Sequence, residues 1–302
     1  MIFVVAVDPQ SVQTLVDKGE LGEQLLLGIF EALLQNCLLA ETSGTWRLGE
    51  ELRSAVRKVN DPDIKKKIWS ILEVFADPVK NRFVDVIDGY ETDWDTGISD
   101  ILASQGDNHE LDVVICEKAK NDGFLEFVSG LKFNSSNFAR ERSRSACALI
   151  YAPGCKRADE LLKEAFGRIV RHATTIEIYD RQMGKTFGGN YHEAIPYWCG
   201  FLEGCDRELN LIIHTTRDWA DSIKREFNGN FKRSKVHVGV RSYLEDQQPH
   251  DRFLRACHFT LDIGRGVDLF DRDGWCRDVK IGISNHSKFT EQWRSLSQNT
   301  DS

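Results

Sequence analysis

The sequence predicts an α/β protein built as two domains, and three observations carry that expectation. Short apolar, β-branched runs alternate with segments whose apolar residues recur at helical spacing, the order of a sheet whose strands are joined by helices. Ile2 to Val7 is unbroken apolar and stops at Asp8-Pro9, as a strand buried on both faces does when it opens into a loop. The chain has 302 residues, and one hydrophobic core usually stops growing at roughly 250 to 300 residues, so two cores are expected.

After that first strand, Leu21 to Leu39 carries leucines and isoleucine at helical spacing, and Leu48 to Val59 repeats the pattern. Asp61-Pro62-Asp63 opens another helix, with the proline at the first helical position and Ile64, Ile68, Ile71, Leu72 and Phe75 on the apolar face. Phe83 to Ile87 reads as a short strand, Ile98 to Ser104 as a helix and Leu111 to Cys116 as a second strong strand. A stretch rich in Asn, Ser and Arg follows from Phe133 to Arg144, then an apolar run from Ala146 to Tyr151 that ends at Pro153-Gly154. The boundary is placed there, giving domains 1–154 and 155–302. Beyond it, Ala158 to Arg171 is amphipathic, the strands at Ile176 and Leu211 flank a helix from Ala194 to Cys205, and Val236 to Val240 alternates as an edge or half-buried strand.

Hydrophobic residues at 41% and charged residues at 28% describe an ordinary folded chain. A formal charge of -8 argues against wholesale electrostatic coating of nucleic acid but leaves room for a local basic patch. The eight cysteines show neither a Cys-x-x-Cys nor a zinc spacing, so buried free thiols are expected. Residues 1 to 8 lack a basic leader region, and no apolar run approaches the roughly 20 residues needed to span a bilayer. A cytoplasmic, reduced setting is expected.

The most informative motif lies late in the chain. His250-Asp251-Arg252-Phe253 precedes an apolar segment and then Asp262-Ile263-Gly264-Arg265-Gly266-Val267-Asp268. A histidine and an arginine two apart on a strand share a face, and paired glycines let a backbone turn close against them. That combination suits a phosphate, with His250, Arg252, Gly264, Arg265 and Gly266 as the binding set. The run resembles the phospholipase D-like domain at the C-terminus of proteins carrying a microtubule-interacting and trafficking domain, over about Leu161 to Trp293. Thr175 to Asp180 resembles that family's first strand and its acidic end, and Leu209 to Thr216 a second core strand. Catalysis in the wider superfamily uses a His-x-Lys motif, supplied twice. Here Arg252 stands in place of the lysine, and the nearest second motifs, His214-Thr215-Thr216-Arg217 and His286-Ser287-Lys288, do not match it. Arginine binds phosphate bidentately, so the resemblance implies phosphate recognition ahead of hydrolysis; alternatively, His250 and Arg252 pair with nearby aspartates to hold the turn.

The N-terminal half offers a different chemistry. Asp8 ends the first strand, Glu117 follows the strand at Val113 to Cys116, and Asp100 opens the helix before it. Carboxylates gathered at one sheet edge repel one another unless a divalent cation joins them. The order resembles a PIN domain, a metal-dependent nuclease fold, over about Met1 to Asn121. That resemblance implies Asp8, Glu51, Asp100 and Glu117 as the catalytic set, with Mg²⁺ or Mn²⁺ at Asp8, Asp100 and Glu117. Glu51 is preferred over Glu50, Glu31 and Glu41 because it lies nearer the apolar stripe through Leu48 and Leu52. Ala119 stands where many members carry a second acidic residue. An aspartate after a first strand also serves as a helix cap, and a degenerate binding fold or an unrelated α/β domain remain alternatives. Arg140, Arg142 and Arg144 would steer a polyanion towards a cleft between domains, although such a run also serves as a solvated face.

Three functions follow as expectations. The first is a metal-dependent nuclease with a phosphate-binding C-terminal module, a pairing that fits a bacterial toxin or phage-defence effector. The second is a phosphodiesterase centred on His250 in a homodimer, and the third a non-enzymatic adaptor that binds phosphorylated lipid or a phosphorylated protein partner.

Overall fold

The computed structural model describes residues 2–42, 47–77, 82–87, 110–117, 120–121, 126–145, 148–184, 191–205, 207–232, 235–244, 252–256 and 259–283. The fold is α/β, and the chain divides into two compact units, Met1–Ala146 and Cys147–Ser302. Among the described residues no helix is long and apolar enough to cross a membrane.

In the first unit β1 (Phe3–Val7) is buried along its whole length between two parallel neighbours, β2 (Cys37–Thr42) and β4 (Val113–Cys116). This is why it reads as a continuous apolar run rather than an alternating one. β3 (Phe83–Ile87) extends the sheet beyond β2, while β6 (Glu126–Ser129) and the short antiparallel β5 (Lys120–Asn121) extend it beyond β4. The helices α1 (Pro9–Val16), α2 (Glu20–Asn36), α3 (Leu48–Val56) and α4 (Pro62–Ala76) make the long connections that parallel strands require. Asp61 caps α4, its Oδ1 accepting from the amides of Asp63 and Ile64 at 2.8 and 3.0 Å.

Three sequence expectations change here. The apolar run from Leu21 to Leu39 is not one helix: α2 stops at Asn36, and Cys37 begins β2 with its amide still bonded to the Leu33 carbonyl. The Asn-, Ser- and Arg-rich stretch before the expected boundary, to which the sequence pattern assigns no element, contains a helix, α5 (Asn137–Ser145), after a 3₁₀ turn at Gly130–Ser135. Arg142 on α5 is buried and donates to the Ala32 carbonyl and Gln35 Oε1 at 3.1 and 2.9 Å. It joins Arg82, which donates to the Leu34 carbonyl at 2.7 Å, in satisfying the end of α2, so Arg142 is not part of a solvated face. The helix expected at Ile98 to Ser104 lies outside the described residues.

The second unit opens earlier than Pro153-Gly154, because β7 (Leu149–Tyr151) pairs with β13 (Val279–Ile283) at the edge of its sheet. β8 (Thr175–Tyr179), β9 (Leu209–Thr216) and β10 (Val236–Tyr243) are parallel, and β11 (Phe253–Ala256), β12 (Phe259–Ile263) and β13 run antiparallel on the far side of β8. α6 (Ala158–His172) leads into β8. α7 (Tyr191–Glu203) and α8 (Ala220–Asn230) are the crossovers between the parallel strands, and they pack against each other. One face of the sheet carries Ile176, Ile178, Leu211, Ile213, Leu254 and Leu261, all buried. The strand alternation therefore leaves Glu177, Tyr179, His214, Tyr243, Phe253 and Arg255 on the other.

Of the cysteines among the described residues, Cys37, Cys116, Cys199 and Cys276 are buried free thiols, as expected. Cys205 is half-buried and Cys155 is exposed.

Candidate functional site

Strand order fixes the first place to look. From β1 the chain moves outward through β2 to β3, then returns to the opposite side of β1 with β4. In open α/β sheets ligands sit outside the carboxyl ends of the strands at such a reversal. Asp8 directly follows β1 and Glu117 directly follows β4, and the Asp8 amide donates to the Ile115 carbonyl at 2.8 Å, so the reversal brings the two acids to one edge. Asp8 Oδ1 accepts from the Gln10 amide at 2.9 Å and caps α1. The helix-cap reading of Asp8 is therefore realised, and it occupies only one of the two carboxylate oxygens.

Burial raises the Asp8 carboxyl above its ordinary range; the Gln10 amide opposes that shift, and the charge of Glu117 adds to it. Glu117 is exposed and is held by the Thr14 hydroxyl on α1. Glu51 is half-buried on α3, whereas Glu41 is buried and accepts from the amides of Thr42 and Gly49, which ties it to the start of α3. Asp100 lies outside the described residues. Among the described residues no group of three or more His, Cys, Asp or Glu side chains is disposed to hold a metal ion. Asp8 and Glu117 thus come together, while Glu51 stands on a separate element, α3.

The glycine turn of the second unit is built by a convergence of strand ends. β11 is antiparallel to both β8 and β12, with Phe253 opposite Tyr179 and Asp262. The end of β8, the start of β11 and the end of β12 therefore share one edge, which carries Asp180, Arg252 and Gly264 to Gly266. Asp180 is fully buried. Its Oδ1 accepts from the Gln182 amide at 2.9 Å and lies 3.5 Å from both the Tyr191 hydroxyl and Arg252 Nε. Arg252 Nη1 also reaches the Gly264 carbonyl at 3.4 Å.

The glycine amides are turned inward. Gly264 donates to the Lys280 carbonyl at 3.2 Å and Gly266 to the Ile263 carbonyl at 2.7 Å. Arg265 donates to the Asp278 carbonyl at 3.0 Å and sits 3.5 Å from Asp268, which also faces Arg277 Nε at 3.2 Å. The anion closed over by the turn is the protein's own Asp180 carboxylate. Of the expected phosphate set, Arg252 and Arg265 have partly open side chains on this edge, 27% and 42% exposed, and Arg252 is the one that reaches Asp180; His250 lies outside the described residues.

Burial pushes the Asp180 carboxyl up to about 6, against the opposing pull of Arg252, the Gln182 amide, the Tyr191 hydroxyl and the Val267 amide. A folded-state value above the ordinary 3.8 means that the folded protein holds this proton more tightly than the unfolded chain. The associated stability is complete below the unfolded value and is lost as pH rises through about 6. Asp180→Asn is therefore expected to flatten the fall in Tm across that interval, as thermal unfolding followed from pH 4 to pH 7 would show; an unchanged slope would contradict the assignment.

No family model and no curated protein matches the chain.

A polar cluster not singled out in the sequence lies on the opposite face of the same sheet from Ile176, Ile178 and Leu211. His214 Nδ1 is 2.9 Å from the Tyr243 hydroxyl and its Nε2 is 3.6 Å from Glu177 Oε1. The Tyr179 hydroxyl donates to Glu177 Oε2 at 3.1 Å, and Arg255 Nη1 lies 3.5 Å from the same oxygen. Tyr179 stacks on His214 at 3.9 Å and on Phe253 at 4.4 Å between ring centroids. Burial pulls the His214 imidazolium below its usual range despite Glu177. Burial also presses Glu177 upward, but His214, Arg255 and Tyr179 together outweigh it and leave the carboxyl lowered. The only sequence signal was period-2 alternation in β8 and β9. Their register, Ile178 opposite Ile213 and Tyr179 opposite His214, is what assembles the group.

Proposed function

We propose that the chain is a metal-dependent phosphodiester hydrolase that acts on nucleic acid through the edge formed by Asp8 and Glu117. The observation that carries this reading is the meeting of a buried carboxylate and an exposed one at the strand-order reversal. Their donors are hard oxygens; burial first, and the charge of Glu117 in addition, raise the Asp8 carboxyl, and a cation held between the two would favour its ionised form. These residues suit Mg²⁺ or Mn²⁺, which would be held by Asp8 Oδ2 and Glu117, with Asp100 as a third ligand from the PIN-like resemblance. When bound, such an ion activates water and stabilises charge on phosphorus. The chain's own part is positional: the Gln10 amide fixes one Asp8 oxygen, and the Thr14 hydroxyl holds Glu117 beside it.

In this reading the second unit supplies phosphate recognition through Arg252, and the pairing fits a bacterial toxin or phage-defence effector working in the cytoplasm. A second reading, binding of a phosphorylated partner or ligand without cleavage, is favoured by the partly open Arg252 side chain beside Asp180.

One experiment separates the two. The full chain is incubated with RNA and single-stranded DNA in Mg²⁺, Mn²⁺ or chelator. Cleavage only with metal supports the hydrolase. No cleavage in any condition, with retention on a phosphate resin that Arg252→Ala abolishes, overturns the hydrolase in favour of the second reading.

A further inference from the structure

Cys155 follows β7 and Cys276 precedes β13, and their sulfurs lie 3.6 Å apart across 121 residues of sequence. Backbone contacts hold them together. The Gly154 amide donates to the Cys276 carbonyl at 2.7 Å and the Cys276 amide to the Lys156 carbonyl at 2.9 Å, so the residues on both sides of Cys155 are tied to Cys276. The next pair, Arg157 and Trp275, continues the contact as a bridge, with the guanidinium 4.9 Å from the indole centroid. Cys155 is exposed, whereas Cys276 is buried; its sulfur accepts from the Lys156 amide at 3.4 Å and donates to the Ala152 carbonyl at 3.2 Å.

We propose that Cys155 and Cys276 form a peroxide-responsive dithiol–disulfide pair. The Cys155 thiolate attacks one peroxide oxygen and cleaves the O–O bond, giving a sulfenic acid and releasing hydroxide, or alkoxide from an organic peroxide. The Cys276 thiolate then attacks the Cys155 sulfur, the S–S bond forms, and the sulfenic oxygen leaves as hydroxide. Each thiol gives up its proton, so with hydrogen peroxide the two thiols lose two electrons, the peroxide gains them and two waters result. A disulfide needs an S–S distance of about 2.05 Å, and the tethered backbones leave only side-chain rotation and a small local shift to close the gap.

The bond would also bear on the glycine turn. Cys276 adjoins Arg277, whose guanidinium holds both Asp268 and Glu193. Oxidation would fix the segment that carries this arginine, whatever chemistry the turn serves.

The test uses the full chain treated with hydrogen peroxide, blocked with a thiol alkylator and mapped by non-reducing peptide mass spectrometry. A Cys155–Cys276 linked peptide that disappears on reduction is expected, and Cys276→Ser should instead leave a Cys155 sulfenic acid that a dimedone probe captures. Because the wild-type chain carries the primary readout, folding of the variants does not decide it. Both thiols remaining open to alkylation, or Cys155 proceeding to sulfinic acid while Cys276 stays a thiol, would overturn the pair.

Discussion

Asp8→Asn is expected to lower metal-dependent cleavage by about 100-fold or more, the scale seen when one charge-stabilising group is removed from a site of this kind. The substitution is selective because asparagine caps a helix about as well as aspartate, so the contact from the Gln10 amide to Oδ1 survives. It should also leave the fold intact on electrostatic grounds. The Asp8 carboxyl is raised by burial and by Glu117, so the folded state favours its neutral form. The matching stability is complete below the unfolded value and is lost as pH rises through the folded one. A permanently neutral asparagine at pH 7 thus keeps Tm level or lifts it slightly. Cleavage rates and thermal unfolding measured on the same preparation check both parts. Lost activity accompanied by a falling Tm would indicate a structural role for Asp8 and count against the proposed site.

The second large effect belongs to Gly266. Its φ is +66°, a region that L side chains rarely adopt, and an added Cβ would fall 1.9 Å from Asp180 Oδ2 and 3.0 Å from Arg252 Cδ. Asp180 is fully buried and cannot retreat. Gly266→Ala should therefore cost about 3 kcal/mol or more, from backbone strain and a forced rearrangement of a buried carboxylate. For a unit of this size that lowers Tm by roughly 6 to 12 °C. Gly264→Ala is the control: its nearest new contact is the Lys280 carbonyl oxygen at 3.7 Å, and it should lie within about 0.5 kcal/mol of wild type. Equal effects at the two glycines would contradict the account of the turn as a clasp around Asp180.

The α/β class was readable because β1 and β4 are short apolar runs and α4 carries its start signal in Asp61-Pro62. What escaped was the strand Cys37–Thr42. The helix before it ends without glycine or proline, and Leu38, Leu39 and Ala40 prolong its apolar content, so periodicity alone does not mark the change. The arginines after Asn137 look alike in sequence, and only the packing of α5 near the end of α2 buries Arg142.

At the sites the same division holds. Asp8 and Glu117 were visible because each directly follows an apolar strand, a position that sheet topology converts into proximity. Gly266 and Arg252 were visible as turn chemistry, but the partner they close upon was not. Asp180 stands 72 residues before Arg252 in the chain, and only the antiparallel pairing of β8 with β11 joins them. The network of Glu177 and His214 depends wholly on register, which no local pattern encodes.

The central claim is that Asp8 and Glu117 are ligands of one divalent cation. Crystals of the full chain grown with Mn²⁺ and measured near the manganese edge test it most directly. The account predicts an anomalous peak within coordination distance of both Asp8 Oδ2 and a Glu117 carboxylate oxygen. Manganese bound elsewhere, or no peak between these two carboxylates at saturating Mn²⁺, would contradict it.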